Sequence, residues 1–364
     1  MSGGLVLVTG LPHAVAVGYV RRLLQQCPEV RVLGIVRADL LERAEREISR
    51  GMPGWALRVT LRPGTVTTEQ LGQESRELAA WCDEIVEVVH IASLYHLGSD
   101  KALVEAVNIG GTQHLLSIAG RCPRLRRFHH YSTCFVAGDR AGVVLEEELE
   151  RGQGFRNTWE RTRFAAEMLV RRRAGDLPIT ISRAGILVGD SRTGELGRTD
   201  GPQFLLNALV HEPGRLRLPS GSWSDRAVAF APVDYVASAM LALGREEAAE
   251  GRTFHLVDPD PLSLASVVSL VDEIVGRMAA LQARRRGWFD RLLDAAWLHP
   301  LAAAGRLRVD ELDTRARFNT MEAARLLQPL GLRCPAVPDY VETLVRAARD
   351  GSIGWARTSS ADQL

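Results

Sequence analysis

Gly4-Leu5-Val6-Leu7-Val8-Thr9-Gly10 is a short apolar run without alternation, closed by a glycine. A strand that carries apolar side chains on both faces belongs inside a parallel sheet covered by helices. The chain that follows keeps to that plan. A helix is expected from about Ala14 to Cys27, a second strand over Arg31-Val32-Leu33-Gly34-Ile35-Val36-Arg37, and a charged helix to about Ser49. A third strand is expected from Trp55 to Leu61 and a fourth over residues 84–92. Such alternation implies right-handed crossovers and a doubly wound α/β sheet, with ligands beyond the carboxyl ends of the strands.

At 364 residues, 46% hydrophobic and 24% charged, the chain can bury a large core, as one big α/β domain or a domain with an appendage. A net charge of +1 gives no electrostatic case for nucleic acid. The basic runs 124–127, 171–173 and 284–286 are short and scattered, as solvated faces are. Five cysteines without a C-x-x-C pair argue against a disulfide framework or a zinc site, and nine histidines show no metal spacing. A cytoplasmic protein is expected, with no charged leader and no apolar stretch long enough to span a bilayer.

The stretch that bears on chemistry is Asn157-Thr158-Trp159-Glu160-Arg161-Thr162-Arg163-Phe164-Ala165-Ala166-Glu167. On a helix, Trp159 and Arg163 project from one face. The stretch resembles the active-site helix of the extended short-chain dehydrogenase/reductases, in which a Tyr and a Lys four residues later carry the acid/base step of hydride transfer. Here those positions hold Trp159 and Arg163. An indole N–H donates a hydrogen bond but is far too weak an acid to pass a proton. Arg163 keeps the charge on a wider, forked group.

The resemblance covers about residues 1–260 and extends to a Rossmann-like fold. His90-Ile91-Ala92-Ser93 is similar to the family's H-x-A-A turn, and Asn108-Ile109-Gly110-Gly111-Thr112 to its N-V-x-G-T helix, where Asn supports the site from behind. Phe128 to Gly138 is similar to the strand and loop that present a catalytic Ser or Thr, which puts Thr133 in that role. Arg183-Ala184-Gly185 to Asp190 and Pro232-Val233-Asp234-Tyr235-Val236-Ala237 resemble two further family segments. The run from Val36-Arg37 to Arg46 is closest to the fatty-acyl and thioester reductases, the male-sterility type of NAD-binding domain. In that branch Arg37 would stand where a cation meets the 2′-phosphate of NADP.

The cofactor turn departs from T-G-x-x-G-x-x-G: Gly10 is kept, but His13 and Ala16 replace the later glycines, and Gly64-Thr65 stands where relatives have Gly-Asp. His13 is read either as a solvent-facing turn residue or as an imidazole that touches phosphate. Trp159 either fills the vacated nicotinamide space or, with Thr133 and Arg163, lines a pocket for another anionic or carbonyl-bearing molecule. The candidate catalytic set is thus Thr133, Trp159 and Arg163, the candidate cofactor set is Gly10, His13, Arg37 and Ala92, and no metal is expected.

Four changes in one ligand's footprint imply weak NADP binding or none. The expected function is therefore a non-redox enzyme (cyclase, isomerase or lyase type) acting on a small-molecule or acyl substrate. A silent pseudo-dehydrogenase that binds a metabolite or a protein, and an NADP-dependent acyl or carbonyl reductase with an atypical site, are the alternatives. Residues 1–260 are expected to form the Rossmann-like domain with a substrate-region insertion at 191–230, residues 261–352 a smaller, mostly helical substrate or lid region, and residues 353–364 a disordered tail. The apolar stripe at 284–301 is read as core, as a lid over a greasy substrate, or as a peripheral membrane contact; a homodimer is left open.

Overall fold

β1 (Leu5–Thr9) is buried along its whole length and lies at the middle of a sheet, as its unbroken apolar run requires. The structure is a computed structural model that describes residues 3–95, 100–195, 226–285 and 314–350. After β1 come α1 (Ala14–Gln26), β2 (Arg31–Val36), α2 (Leu41–Ser49), β3 (Val59–Pro63), α3 (Ser75–Cys82) and β4 (Ile85–His90). Then follow α4 (Lys101–Glu105), a π-helical turn over Ala106–Gly110, α5 (Gly111–Ala119), β5 (Arg127–Thr133), β6 (Ala141–Val144), α6 (Thr158–Arg172), β7 (Ile179–Ala184) and β8 (Ile186–Val188). The remainder holds β9 (Phe230–Pro232), α7 (Val233–Arg245), β10 (Arg252–Leu256), α8 (Leu264–Arg285), β11 (Arg315–Phe318), α9 (Met321–Leu327) and α10 (Val337–Arg349).

Seven strands form one parallel sheet in the order β10-β7-β5-β4-β1-β2-β3. The order reverses between β1 and β4, so a crevice opens at their carboxyl ends, where doubly wound sheets bind ligands. Val15, Val20 and Leu23 of α1 and Val236, Met240 and Leu243 of α7 cover one face. Leu115 and Ile118 of α5 and Val170 of α6 cover the other. This is the doubly wound architecture expected.

Two elements differ from expectation. Gly54, with φ +76°, turns the chain into a 3-10 turn at Trp55–Leu57, so β3 starts only at Val59 and ends on Pro63 at the sheet edge, where a missing N–H is harmless. The C-terminal region, expected to be mostly helical over 261–352, also contributes β11, which pairs in parallel with β6. Beside it, α8 and α10 pack together around Val271, Ile274, Tyr340 and Leu344, against β8 and β9. Most of the expected insertion at 191–230, nearly all of the stripe at 284–301 and the whole tail at 353–364 lie outside the described residues. Among the described residues no helix is long and apolar enough to cross a membrane.

Candidate active site

At the reversal point the chain leaves β1 through Gly10, whose φ is +93°. A Cβ here would come within 2.6 Å of the Ala92 nitrogen and 2.8 Å of the Ile91 carbonyl carbon, so only glycine lets this turn press against the end of β4. His13 caps α1: its Nδ1 accepts the Val15 N–H at 3.3 Å. Its ring is half-buried, with its centre 6.0 Å from that of Tyr131. His13 therefore does not simply face solvent; it sits on the cleft wall at the head of α1, where an anion would meet the helix N-terminus. Ala16 is fully buried in the core, which makes its exchange for glycine a packing matter.

Gly64 is again obligatory, because a Cβ there would strike the Leu71 carbonyl oxygen at 2.2 Å. Beside it, Thr65 replaces an acid and shares a 2.9 Å hydrogen bond with Thr67. Arg37, at the end of β2, lines the same end of the cleft and donates from Nε and Nη2 to Asp39 at 3.0 and 2.5 Å.

At the other end lies the N-terminal turn of α6. Asn157 caps it, accepting the Glu160 N–H at 2.9 Å. Within this first turn, Trp159 packs against the α8–α10 cluster and lines the cleft. Its ring meets Tyr95 edge-on at 4.9 Å and Phe135 at 6.2 Å. Its Nε1 is buried with no hydrogen-bond partner. Phe135 also links Trp159 to Thr133, whose Oγ1 accepts the Phe135 N–H at 3.3 Å and keeps its own proton to donate. Arg163 is 1% exposed and donates through Nη2 to the Tyr131 carbonyl. Burial lowers its pKa to about 10, opposed by the Tyr131 phenol and the Glu167 carboxylate, so it stays charged at neutral pH. Thr133, Trp159 and Arg163 thus all line the cleft.

Polar scaffolding fixes this wall from behind. Asn108, on the π-helical turn, accepts the Leu94 N–H at 2.8 Å and donates to the Leu94 carbonyl and to Thr162 Oγ1 at 3.2 and 2.9 Å, tying the loop after β4 to α6. Thr112 gives its proton to the Asn108 carbonyl, so His90 donates to it from Nε2 and accepts from Thr9 at Nδ1, at 3.0 and 2.9 Å. Burial, then the Arg163 charge, lowers the His90 pKa to about 3; it is a neutral strut. Glu167, two turns beyond Trp159, accepts from Ser132 at 2.6 Å, Arg183 at 2.7 Å and Arg171 at 3.1 Å. Burial would raise its pKa, but Arg183 prevails and holds it at about 2. The support from Asn108 was implied by the resemblance; the contacts of Glu167 with Ser132, Arg183 and Arg171, and Tyr95 and Tyr131 on the cleft wall, escaped sequence reasoning. The available signal was a charged residue, Arg183, inside the β7 run Ile179-Thr180-Ile181-Ser182-Arg183-Ala184.

One cleft of about 1820 Å³ joins both ends, lined by Gly10, His13, Arg37, Thr65 and Ala92 as well as Thr133, Trp159 and Arg163. Trp159 does not close it. The glycine cradle at Gly10, the head of α1 and the orphaned indole N–H at the far end suit an elongated anion with a reacting group beyond it.

The model of the male sterility protein family matches residues 8–240. Glycine betaine reductase of Emericella nidulans is 27% identical over 219 residues, 58% of this chain and 16% of that protein. An aldehyde reductase of Aspergillus flavus is 29% identical over 308 residues, 76% of this chain and 28% of that protein. The alcohol-forming fatty acyl-CoA reductase of Simmondsia chinensis is 24% identical over 326 residues, 69% of this chain and 66% of that protein. The chain therefore spans less than two thirds of each of these relatives. Among solved structures, the terminal R domain of the myxalamid biosynthetic pathway superposes with a TM-score of 0.77 at 22% identity, covering 98% of this chain and 93% of that one.

These relatives are named for reductions. They overturn the expectation of a non-redox cyclase, isomerase or lyase and lend the silent pseudo-dehydrogenase no support. The expectation of no cofactor, or only weak NADP, also runs against an NAD-binding family. The physical reason is that the substitutions spare the cavity: Gly10 keeps its turn, His13 folds back as a cap, and Trp159 forms wall. With the motifs, the fold and a model match over most of its sheet, the chain belongs to the NAD-binding male sterility protein family, the thioester-reductase-like branch of the extended short-chain dehydrogenase/reductases.

Proposed function

We propose that this chain is a nicotinamide-dinucleotide-dependent reductase of an acyl or carbonyl substrate. The observation that carries the reading is the single cleft that runs from the Gly10 turn to Thr133, Trp159 and Arg163. Gly10 and the head of α1 would hold the pyrophosphate, Arg37 and Thr65 the adenosine end, and Ala92 the floor between. A bound reduced dinucleotide supplies hydride. Thr133 and Trp159 offer two neutral N–H and O–H donors to a substrate oxygen, and Arg163 offers a fixed positive charge that favours negative charge developing there. Residues 1–260 would act as the dinucleotide-binding unit, and residues 261–352 as the substrate-facing region.

Calorimetric titration with NADPH and NADH, followed by consumption of the better one with acyl thioesters and aldehydes, tests this. Micromolar binding and substrate-dependent oxidation are the expected results. No binding of either dinucleotide would sink the reading.

A further inference from the structure

We propose that Cys82 and Cys122 form a peroxide-sensitive thiol pair, which closes to a reversible disulfide that staples the entry to β4 against the entry to β5. Position carries the argument first. Cys82 is the last residue of α3, and Cys122 lies in the turn after α5, its N–H bonded to the Ala119 carbonyl at 3.1 Å. Each stands a few residues before a strand, Ile85 opening β4 and Arg127 opening β5, and those strands are parallel neighbours. The Arg126 N–H donates to the Val86 carbonyl at 2.8 Å, so the two incoming segments are tied side by side. Both sulfurs therefore fall in one apolar cluster with Leu78, Ile85 and Ile118, and they are hydrogen-bond partners of each other. The cleft opens at the opposite, carboxyl ends of the same strands, and neither cysteine lines it.

Chemistry then divides the pair. The nucleophile is a thiolate, so the sulfur that ionises more easily attacks first. The hydrogen bond from Cys122, helped by the Arg121 charge and opposed by burial, lowers the pKa of Cys82 below the ordinary thiol value. The same contact, with burial, raises Cys122, which stays a thiol and resolves the first product. The two residues are 4% and 7% exposed, and exposed Asp83, Arg121 and Pro123 flank them, so a water-sized oxidant has little to displace. The other cysteines have different neighbours. Arg245 donates to Cys27 Sγ at 2.7 Å, Cys134 Sγ donates to the Arg183 carbonyl at 3.4 Å, and burial raises the thiols of Cys134 and Cys334.

The Cys82 thiolate attacks one oxygen of hydrogen peroxide, the O–O bond breaks, and the departing hydroxide takes up the proton the thiol gave, as water. The Cys122 sulfur then attacks the resulting sulfenic sulfur. An S–S bond forms, the S–O bond breaks, and the second hydroxide leaves with the Cys122 proton as water. Two thiols and one peroxide give one disulfide and two waters; sulfur is oxidised and peroxide oxygen reduced. A dithiol reverses the step by exchange. The sulfurs must close from hydrogen-bond contact to about 2.05 Å, and a helix end and a turn are places where backbone yields. The cross-link closes the loop between residues 82 and 122, which carries β4, Asn108 and α5, and so restricts the unfolded chain. A pair of this kind is a redox-responsive device rather than a structural disulfide framework.

The test treats the full chain with hydrogen peroxide, quenches in acid, alkylates in denaturant and maps the peptides by mass spectrometry. A peptide pair joined through Cys82 and Cys122, two fewer alkylated thiols and full reversal by dithiothreitol are expected. Oxidation should raise the melting temperature by about 5–10 °C. Cys122→Ser should stop at a Cys82 sulfenic acid that dimedone traps, and Cys82→Ser should leave Cys122 alkylatable after the same treatment. The map of the parent protein decides the matter even where a variant does not fold. An unchanged thiol count overturns the proposal, as does oxidation of Cys27, Cys134 or Cys334 ahead of the pair. Cys82 passing on to a sulfinic acid while Cys122 stays free overturns the resolving role, and a joined pair that melts lower than the reduced protein overturns the staple.

Discussion

His13 does with its own side chain part of what a bound anion would do: its Nδ1 takes the Val15 N–H at the head of α1. A pyrophosphate must compete with that cap. His13→Gly should free the N–H, at a cost to the helix of only a few tenths of a kcal/mol, and tighten NADPH binding by about fivefold, corresponding to one recovered hydrogen bond of about 1 kcal/mol. Calorimetry on the variant checks it; weaker binding would mean that the imidazole itself contacts the phosphate, and unchanged binding that the cap does not compete with the anion. Arg37 belongs to the same scale. It is already paired with Asp39, which blunts its charge, so Arg37→Ala should weaken NADPH by about tenfold and leave NADH nearly unchanged. Equal loss for both would remove the 2′-phosphate role. The sequence put His13 in the turn after β1 and Arg37 at the end of β2 but gave no sign of these partners. A cap and an ion pair depend on torsions that neighbouring residues set.

Among the elements, α6 carries the most. Its apolar and polar positions were legible because helical spacing puts Trp159 and Arg163 on one side whatever the tertiary context, and β1, β2 and β4 were legible because buried parallel strands are largely apolar; β5, with Arg127, two histidines, Ser132 and Thr133, was legible only through its resemblance to a family strand. β11 was not. It is four residues long, alternates exposed and buried positions, and exists because β6 lies beside it. Nor could the sequence show that Glu167, two turns along α6, meets Arg183 of β7, since the contact depends on how the helix packs on that strand. That pair is 0% and 1% exposed at the side chain. Removing one partner strands the other charge in the core, so Glu167→Gln should cost about 3–5 kcal/mol of unfolding free energy in a denaturant titration. Ser132→Ala, which deletes only a neutral donor to the same carboxylate, should cost about 1–2 kcal/mol. Equal losses would show that the Arg183 contact is dispensable. An intact Glu167 also explains why α6 stays in register with β5, and therefore why Trp159 and Thr133 meet across Phe135.

Across the whole molecule, four buried histidines on three sheet strands set the response to acid. His90, His129 and His255 are lowered to about 3, and His130 is pushed well below the ordinary value, in each case first by burial and then by nearby Arg charge. The folded state therefore binds fewer protons than the unfolded chain, whose histidines titrate near 6.5. Between those values stability rises with pH, and it falls as pH drops from about 6.5 toward 3, by about 1.4 kcal/mol per pH unit for each histidine fully in play. Glu146 acts in the opposite sense. Burial raises its pKa to about 7 against three backbone N–H bonds, so it offsets roughly one histidine between about pH 4.5 and 7. Glu167, held near 2, adds to the acid loss only below about pH 4.5. The net outcome is a melting temperature that declines steeply below about pH 6. His130 tests the account, because both its nitrogens are buried without partners and a hydrocarbon of similar size loses no hydrogen bond there. His130→Leu should leave stability at pH 8 unchanged or raised by about 1–3 kcal/mol, and should lower the steepness of the acid decline by about one proton's share. A variant that loses stability at pH 8, or that keeps the parent's full acid sensitivity, would show that His130 is bonded or protonated in the folded protein.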